Sequence, residues 1–302
     1  MWVLMGIASA FLQGLYDVFK KESLKDNAVI PVLLINTLLC AGFFVPGIIG
    51  SAACAISPGD RMFVPSGTLH DHLLIMLKAV IVLSSWICGY FAIKNLPLTI
   101  AGPINATRPV MTLVGAMLIF GERLNLLQWA GVTTAVISFL LLSRSGKKEG
   151  IDFKSNSSIF LLILAAILGS SSGLYDKYLM SEGTGLGMDR SFVQGWYYLY
   201  QAIMRCGIFA FLWIPDRKKS RFTWKWSIPL ISITLTVSDM IYLHALSIPG
   251  AMVSILSMLR RSSVLVSFIF GALFLKEKNI KGKAIDLALV FVSLMFLIAG
   301  TL

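Results

Sequence analysis

Four arginines, Arg108, Arg205, Arg260 and Arg261, stand inside long apolar stretches of this sequence. An arginine at the centre of a bilayer helix costs about 2.5–3.5 kcal/mol on insertion scales, so each needs a counter-charge or a wet cavity. The planar guanidinium fork suits a carboxylate or a phosphate. Asn105, Arg108 and Thr112 follow a three-then-four spacing that stacks them on one helix face. Ser254 and Ser257 fall on the same stripe as Arg261, and Gln194, Tyr198, Gln201 and Arg205 form a third polar stripe. Of three aspartates in these stretches, Asp17 and Asp176 stand near helix ends, where they can snorkel or bind water, and Asp239 lies deeper.

Two roles are open to these charges. The arginines could pair with the aspartates and only fix helix packing, as intramembrane charges do. Alternatively, they hold an anionic group of a bound solute. On the second reading Arg108, Arg260, Arg261, Asn105 and Ser257 contact the solute, Tyr198, Gln201 and Arg205 shape the pocket, and Asp239 is the candidate for proton coupling. No metal is expected: His70-Asp71-His72 reads as a solvated loop without further ligands, and the cysteines (Cys40, Cys54, Cys88, Cys206) show no paired spacing. No G-x-x-x-x-G-K-[ST] phosphate loop is present, so the chain carries no ATP motor of its own.

The elements that must position these groups are membrane helices. Of 302 residues, 57% are hydrophobic and 14% charged, against about 25% charged in soluble domains. A hydrocarbon core of about 30 Å needs about 20 apolar residues. Ten stretches qualify: 2–19, 28–50, 73–93, 98–119, 126–143, 158–178, 192–214, 226–246, 250–274 and 283–301. The first lacks the leading Lys or Arg of a secretory signal. Trp224 and Trp226 flank Lys225 as interfacial anchors do. The spacings Gly131-xxx-Ala135 and Ser267-xxx-Gly271 allow close helix approach.

The sequence repeats itself. Gly14-Leu15-Tyr16-Asp17 recurs as Gly173-Leu174-Tyr175-Asp176, while Tyr90, Pro97 and Arg108 align with Tyr242, Pro249 and Arg260 at one constant offset. Gly121-Glu122-Arg123 is answered by Lys276-Glu277-Lys278. The expected fold is therefore an all-α integral membrane protein of ten transmembrane helices, as two inverted five-helix repeats, 1–145 and 158–302, joined by a loop at 146–157. Five helices per copy is odd, so the second copy enters from the opposite side, and a site is expected at the repeat interface. Counting Lys and Arg on alternate loops gives 17 on one side and five on the other, the latter including Lys78 and Lys177. The positive-inside rule puts the richer side in the cytoplasm and both termini outside.

Asn95-Leu96-Pro97-Leu98-Thr99 leading to Gly121-Glu122-Arg123-Leu124, with Gln128 and Gly131 following, resembles the EamA family of the drug/metabolite transporter superfamily. The second copy, Ile248-Pro249-Gly250-Ala251 to Lys276-Glu277-Lys278, resembles a divergent version that lacks the Gly before Glu277 and has Asp286 where the first has Gly131. The resemblance implies a ten-helix secondary carrier that alternates a central cavity between two sides, with relatives that move amino acids, metabolites, nucleotide sugars and triose phosphates. In the last of these, basic residues of the ninth helix hold the phosphate, and Arg260 and Arg261 stand in a similar place. The resemblance also implies cytosolic termini, against the loop count, which is retained here.

The resulting expectation is a multi-pass permease of the inner cell membrane that moves a small polar, anionic metabolite, without cofactor and not an enzyme. An exporter of amino acids or amines, using the aspartates, is the alternative. An enzyme would need clustered acid, base or metal ligands, and a scaffold would not need costly midplane arginines. The partners expected are a small-molecule substrate and membrane lipids, with a homodimer allowed. The net charge of +11 reflects cytoplasmic loops rather than nucleic-acid binding.

Overall fold

The structure, a computed structural model, describes residues 1–60, 62–95, 108–144, 157–218, 221–263, 266, 270 and 280–300. Those residues are helical or irregular, with no strand among them. The helices are α1 (Trp2–Leu24), α2 (Val29–Ala52), α3 (Leu69–Asn95), α4 (Arg108–Phe120), α5 (Leu126–Arg144), α6 (Ser157–Met180), α7 (Arg190–Ile208), α8 (Ser227–Ser247), α9 (Val253–Arg261) and α10 (Ile280–Ala299). Five segments among them, Trp2–Leu24, Val29–Ala52, Leu69–Gly89, Ser157–Met180 and Ser227–Ser247, are long and apolar enough to cross a membrane. The chain is an all-α, multi-pass membrane protein. In hydrocarbon every backbone polar group must be satisfied within the segment, and helices do this without a partner strand.

Apolar length sets where the helices run, and local chemistry sets where they begin. Thr68 and Asp71 form a capping box at the start of α3, with Asp71 Oδ2 accepting from the Thr68 backbone N–H and hydroxyl, both at 2.8 Å. The His70-Asp71-His72 triplet is thus the first turn of α3 and not a loop. The His72 ring sits 4.4 Å from Trp196 and accepts or donates a hydrogen bond to the Tyr200 hydroxyl at 3.0 Å. Asp189 caps α7, accepting from Phe192 N at 2.9 Å. At its far end α7 loosens into a π-helical turn, Phe209–Trp213, which hydropathy alone does not foretell.

Helices pair across the chain. α1 packs along α8, α3 along α6, α5 along α10, α2 along α7 and α4 along α9. Gly131 lets α5 approach α10 closely: a Cβ there would lie 2.8 Å from Leu297 Cγ, and the Gly131 carbonyl accepts from Ser293 Oγ at 2.8 Å. Ser267-xxx-Gly271, 96–107 and Lys276-Glu277-Lys278 lie outside the described residues.

The two ends of the bundle differ. At one, α3, α7 and α9 begin while α6 and α8 end, and the largest apolar core gathers, built on Leu179, Met180, Val193, Leu246, Val253 and Leu256. At the other, the α1–α2 turn is tied to the segment before α8 by Asn27 Nδ2 donating to Thr223 O at 2.7 Å and Lys225 Nζ donating to Glu22 O at 2.8 Å. Lys78 and Lys177, counted above as loop residues, are buried inside α3 and α6 at 5% exposure each. Lys177 starts in the last turn of α6 and Lys78 more than two turns into α3, whose start lies ahead of its apolar run, and hydropathy windows do not see where the ammonium goes. Removing them leaves the poorer loop set poorer still.

Candidate functional site

Between the halves of the chain lies a cavity of about 370 Å3, walled by α1, α4, α6, α8 and α9. Arg260 from α9 is its centre. Its guanidinium pairs with Asp239 of α8, donates to Gln13 Oε1 of α1 at 3.0 Å and lies 4.4 Å above the Tyr242 ring. Asp239 accepts a second bond from the Tyr198 hydroxyl at 2.7 Å, and Tyr198 stacks on Phe44 at 6.0 Å. The cation is thus held by a carboxylate, an amide and a π face at once, which answers the desolvation that burial imposes. Arg260 and Asp239 retain 25% and 21% side-chain exposure, toward the cavity.

Arg108 reaches the same cavity from α4. Its guanidinium lies against α6 at Gly169, where a Cβ would come within 3.1 Å of Nη1 and 3.2 Å of Cζ. Gly173, one turn further, also lines the space. The two glycines bracket Ser170, Ser171 and Ser172, and the missing side chains leave room that apolar residues would fill. Ser170 Oγ donates to the Arg108 carbonyl at 3.0 Å and Thr112 Oγ1 to the same carbonyl at 3.1 Å, holding the start of the described helix. Ser257, one turn before Arg260, completes the polar wall.

Acids share the cavity. Asp17 of α1 and Asp176 of α6, the ends of the two repeated Gly-Leu-Tyr-Asp motifs, both line it. Asp176 Oδ1 forms an ion pair with Lys78 Nζ at 2.8 Å.

Among the residues expected from sequence, Arg108, Arg260, Ser257 and Asp239 meet in the cavity, with Tyr198 directly behind Asp239. The α7 stripe fans out instead of converging. Gln194 donates to Thr236 O at 3.0 Å, Gln201 donates to Ala79 O at 2.7 Å, and Arg205 bonds Thr37 Oγ1 and lies 5.6 Å from the Trp86 ring. Gln201 and Arg205 therefore fix α7 to α3 and α2. Ser254 turns to Glu122 rather than joining the arginine stripe. Asn105 and the Arg261 side chain lie outside the described residues. Gln13 and Lys78 were not anticipated; the i, i+4 glycines Gly169 and Gly173 around three serines were a readable sign of a polar opening in α6. No group of three metal-ligating side chains occurs among the described residues.

An all-helical membrane bundle with a charged, hydroxyl-lined cavity at its centre is the architecture of a small-solute carrier. Residues 1–144 match the model of the EamA-like transporter family, part of the drug/metabolite transporter superfamily. A crystal structure of another protein superposes with a TM-score of 0.71 at 14% identity, over 98% of this chain and 95% of its own; that likeness is one of fold. No curated protein matches the chain.

Proposed function

We propose that this protein is a secondary transporter of the inner cell membrane that moves a small anionic metabolite by alternating access, with Arg108 and Arg260 as the anion-binding pair. The observation that carries the reading is the convergence of two arginines, from α4 and α9, on one polar cavity of about 370 Å3, within the range of about 300–1,000 Å3 usual for small-molecule sites. Gly169 and Ser257 give the solute backbone and hydroxyl contacts. Arg260 is shared between Asp239 and the arriving anion, and Asp239, once exchanged, is the carboxylate available to a proton. Tyr198 steadies Asp239, and Gln201 and Arg205 hold the helix that carries Tyr198.

The transporter is built as two inverted five-helix repeats, 1–145 and 158–302, spanning the membrane ten times. Helix pairing supports this. If α1 corresponds to α6 and α3 to α8, then α1 on α8 and α6 on α3 are the same contact seen twice, and α2 on α7, α4 on α9 and α5 on α10 each pair an element with its counterpart. Such pairing is what a two-fold axis in the membrane plane produces. The loop charges support a cytoplasmic location for the face at which α1 ends.

A second reading has its own support, because Asp17 and Asp176 line the same cavity: an exported amino acid or amine would meet them. A thermal-shift screen of the detergent-purified protein with organic acids, sugar phosphates, amino acids and amines separates the two. A ligand at 100 times its Kd stabilises the folded state by about 2.7 kcal/mol. Stabilisation by anions that disappears in the Arg260→Gln/Asp239→Asn double variant supports the arginine site. Stabilisation by amines alone overturns it in favour of the aspartates. The double variant is used because removing Arg260 alone strands a carboxylate.

A further inference from the structure

We infer that the buried Lys78–Asp176 ion pair is a gate, closing the cavity toward the face where α3 and α7 begin and α6 and α8 end. A second chamber of about 180 Å3 adjoins the main cavity and shares Ser172, Asp176, Asp239, Tyr242 and Arg260 with it. Its remaining walls lie beyond that layer. Lys78 and Val82 come from the first half of α3, Gln194 and Tyr197 from the first two turns of α7, and Leu243 from the end of α8. The shared residues are therefore a partition between the two chambers; Asp176 stands in it, and Lys78 pairs with Asp176 from the small-chamber side. Beyond the small chamber the helix ends are sealed by the large apolar core, by Glu122 binding the start of α9 and by Lys177 bonding the Ala251 carbonyl.

The pair has the attributes of a latch rather than of a packing contact. It joins α3 of the first half to α6 of the second, so any motion that parts the halves at this face must break it. Lys78 and Asp176 side chains are 6% and 14% exposed, so the charge pair is hardly screened by solvent. Lys78 also has a second place to rest, since its Nζ lies 4.7 Å from the Tyr197 ring centroid; a cation over an aromatic face keeps a partner after its carboxylate departs. Asp176 already faces the main cavity and can turn to a solute there. Two alternative partners for one charged group supply the bistable element a conformational switch needs. The device belongs to one face only: the offset of 152 residues that aligns Tyr90 with Tyr242 and Arg108 with Arg260 puts Leu230 at the position of Lys78.

The inference rests on the transport reading, because only a carrier needs this face to open; its test uses no transport or ligand assay, so the two can fail separately. Cys40, Cys54, Cys88 and Cys206 are replaced by serine or alanine, Val82→Cys is introduced in the small chamber, and the rate of labelling by a charged methanethiosulfonate is measured in proteoliposomes with reagent on both sides. The intact pair should protect the thiol. Lys78→Gln/Asp176→Asn, which leaves no stranded charge and so survives folding better than either single change, should label at least ten-fold faster. The exchanged pair, Lys78→Asp/Asp176→Lys, should return to the slow rate. All variants are checked for a single gel-filtration peak. Equal labelling rates with and without the charges would overturn the gate, as would fast labelling of a well-folded exchanged pair.

Discussion

At the scale of single residues, this site depends on charges that constrain one another. Arg260 is oriented by Asp239, Gln13 and Tyr242 together, and Asp239 by Tyr198, so the guanidinium proposed to bind the anion is positioned before any solute arrives. The less obvious contribution is a side chain that is missing. Gly169→Ala puts a methyl 3.1 Å from Arg108 Nη1, slightly inside normal contact, and 3.3 Å from Ser85 Oγ. We expect the apparent affinity for a stabilising anion to fall roughly ten-fold, about 1.4 kcal/mol, read as a smaller ligand-induced thermal shift. The ligand-free melting temperature should hold or rise, since Ala is the better helix former by about 0.5–1 kcal/mol. A matching loss in ligand-free stability would mean that Gly169 serves packing instead. The sequence revealed Arg108, Arg260, Ser257 and Asp239 because a charge or hydroxyl inside an apolar run stands out. It did not reveal which arginine faces the cavity: Arg205 has the same local signature as Arg260, and only the neighbours, Thr37 and Trp86 in one case and Asp239 and Gln13 in the other, tell them apart.

At the scale of elements, α9 is the piece that must be placed accurately, because it carries both Ser257 and Arg260 on nine residues. Its N-terminus is held from outside. Glu122, on the turn after α4, accepts from Val253 N at 2.8 Å and Ser254 N at 3.3 Å and also takes the Ser254 hydroxyl. A carboxylate there satisfies otherwise orphaned N–H groups and opposes the positive end of the helix dipole. The preceding turn, with Gly250 at φ 78°, is held by Lys177 at Ala251 O. Glu122→Ala should therefore lower the stability of the detergent-solubilised protein by about 0.5–2 kcal/mol, the usual worth of a cap, seen as a lower melting temperature, and Glu122→Gln should lose less. Unchanged melting in Glu122→Ala would show that the cap holds nothing. The Gly121-Glu122-Arg123 motif was visible in the sequence as a repeated signature, but its partner lies more than a hundred residues away, and no local pattern announces a cap made in three dimensions. Helix positions were largely readable because about 20 apolar residues are needed to cross a bilayer whatever their neighbours. Starts were less so: α3 begins at Leu69, ahead of its apolar run, because Thr68 and Asp71 cap it.

At the scale of the whole molecule, the bundle is tight at one end and holds its cavity between the halves, with Asp176, Asp239 and Arg260 of the second half in the partition between main cavity and small chamber and Lys78 of the first half paired to it from the small chamber. Such an arrangement suits a carrier caught with one face shut. The expectation of two repeats rests on short motifs that recur in the same order; the crosswise pairing of α1 with α8 and α3 with α6 was not legible, since hydrophobic periodicity says which residues avoid water and nothing about which helix they meet. The most direct test of the account is uptake into proteoliposomes of the anion that gives the largest thermal shift, compared between the unaltered protein and Arg260→Gln/Asp239→Asn. The account predicts saturable uptake by the former and, in a variant that still elutes as a single folded peak, a loss of at least ten-fold in rate. Equal uptake by the two proteins would contradict it.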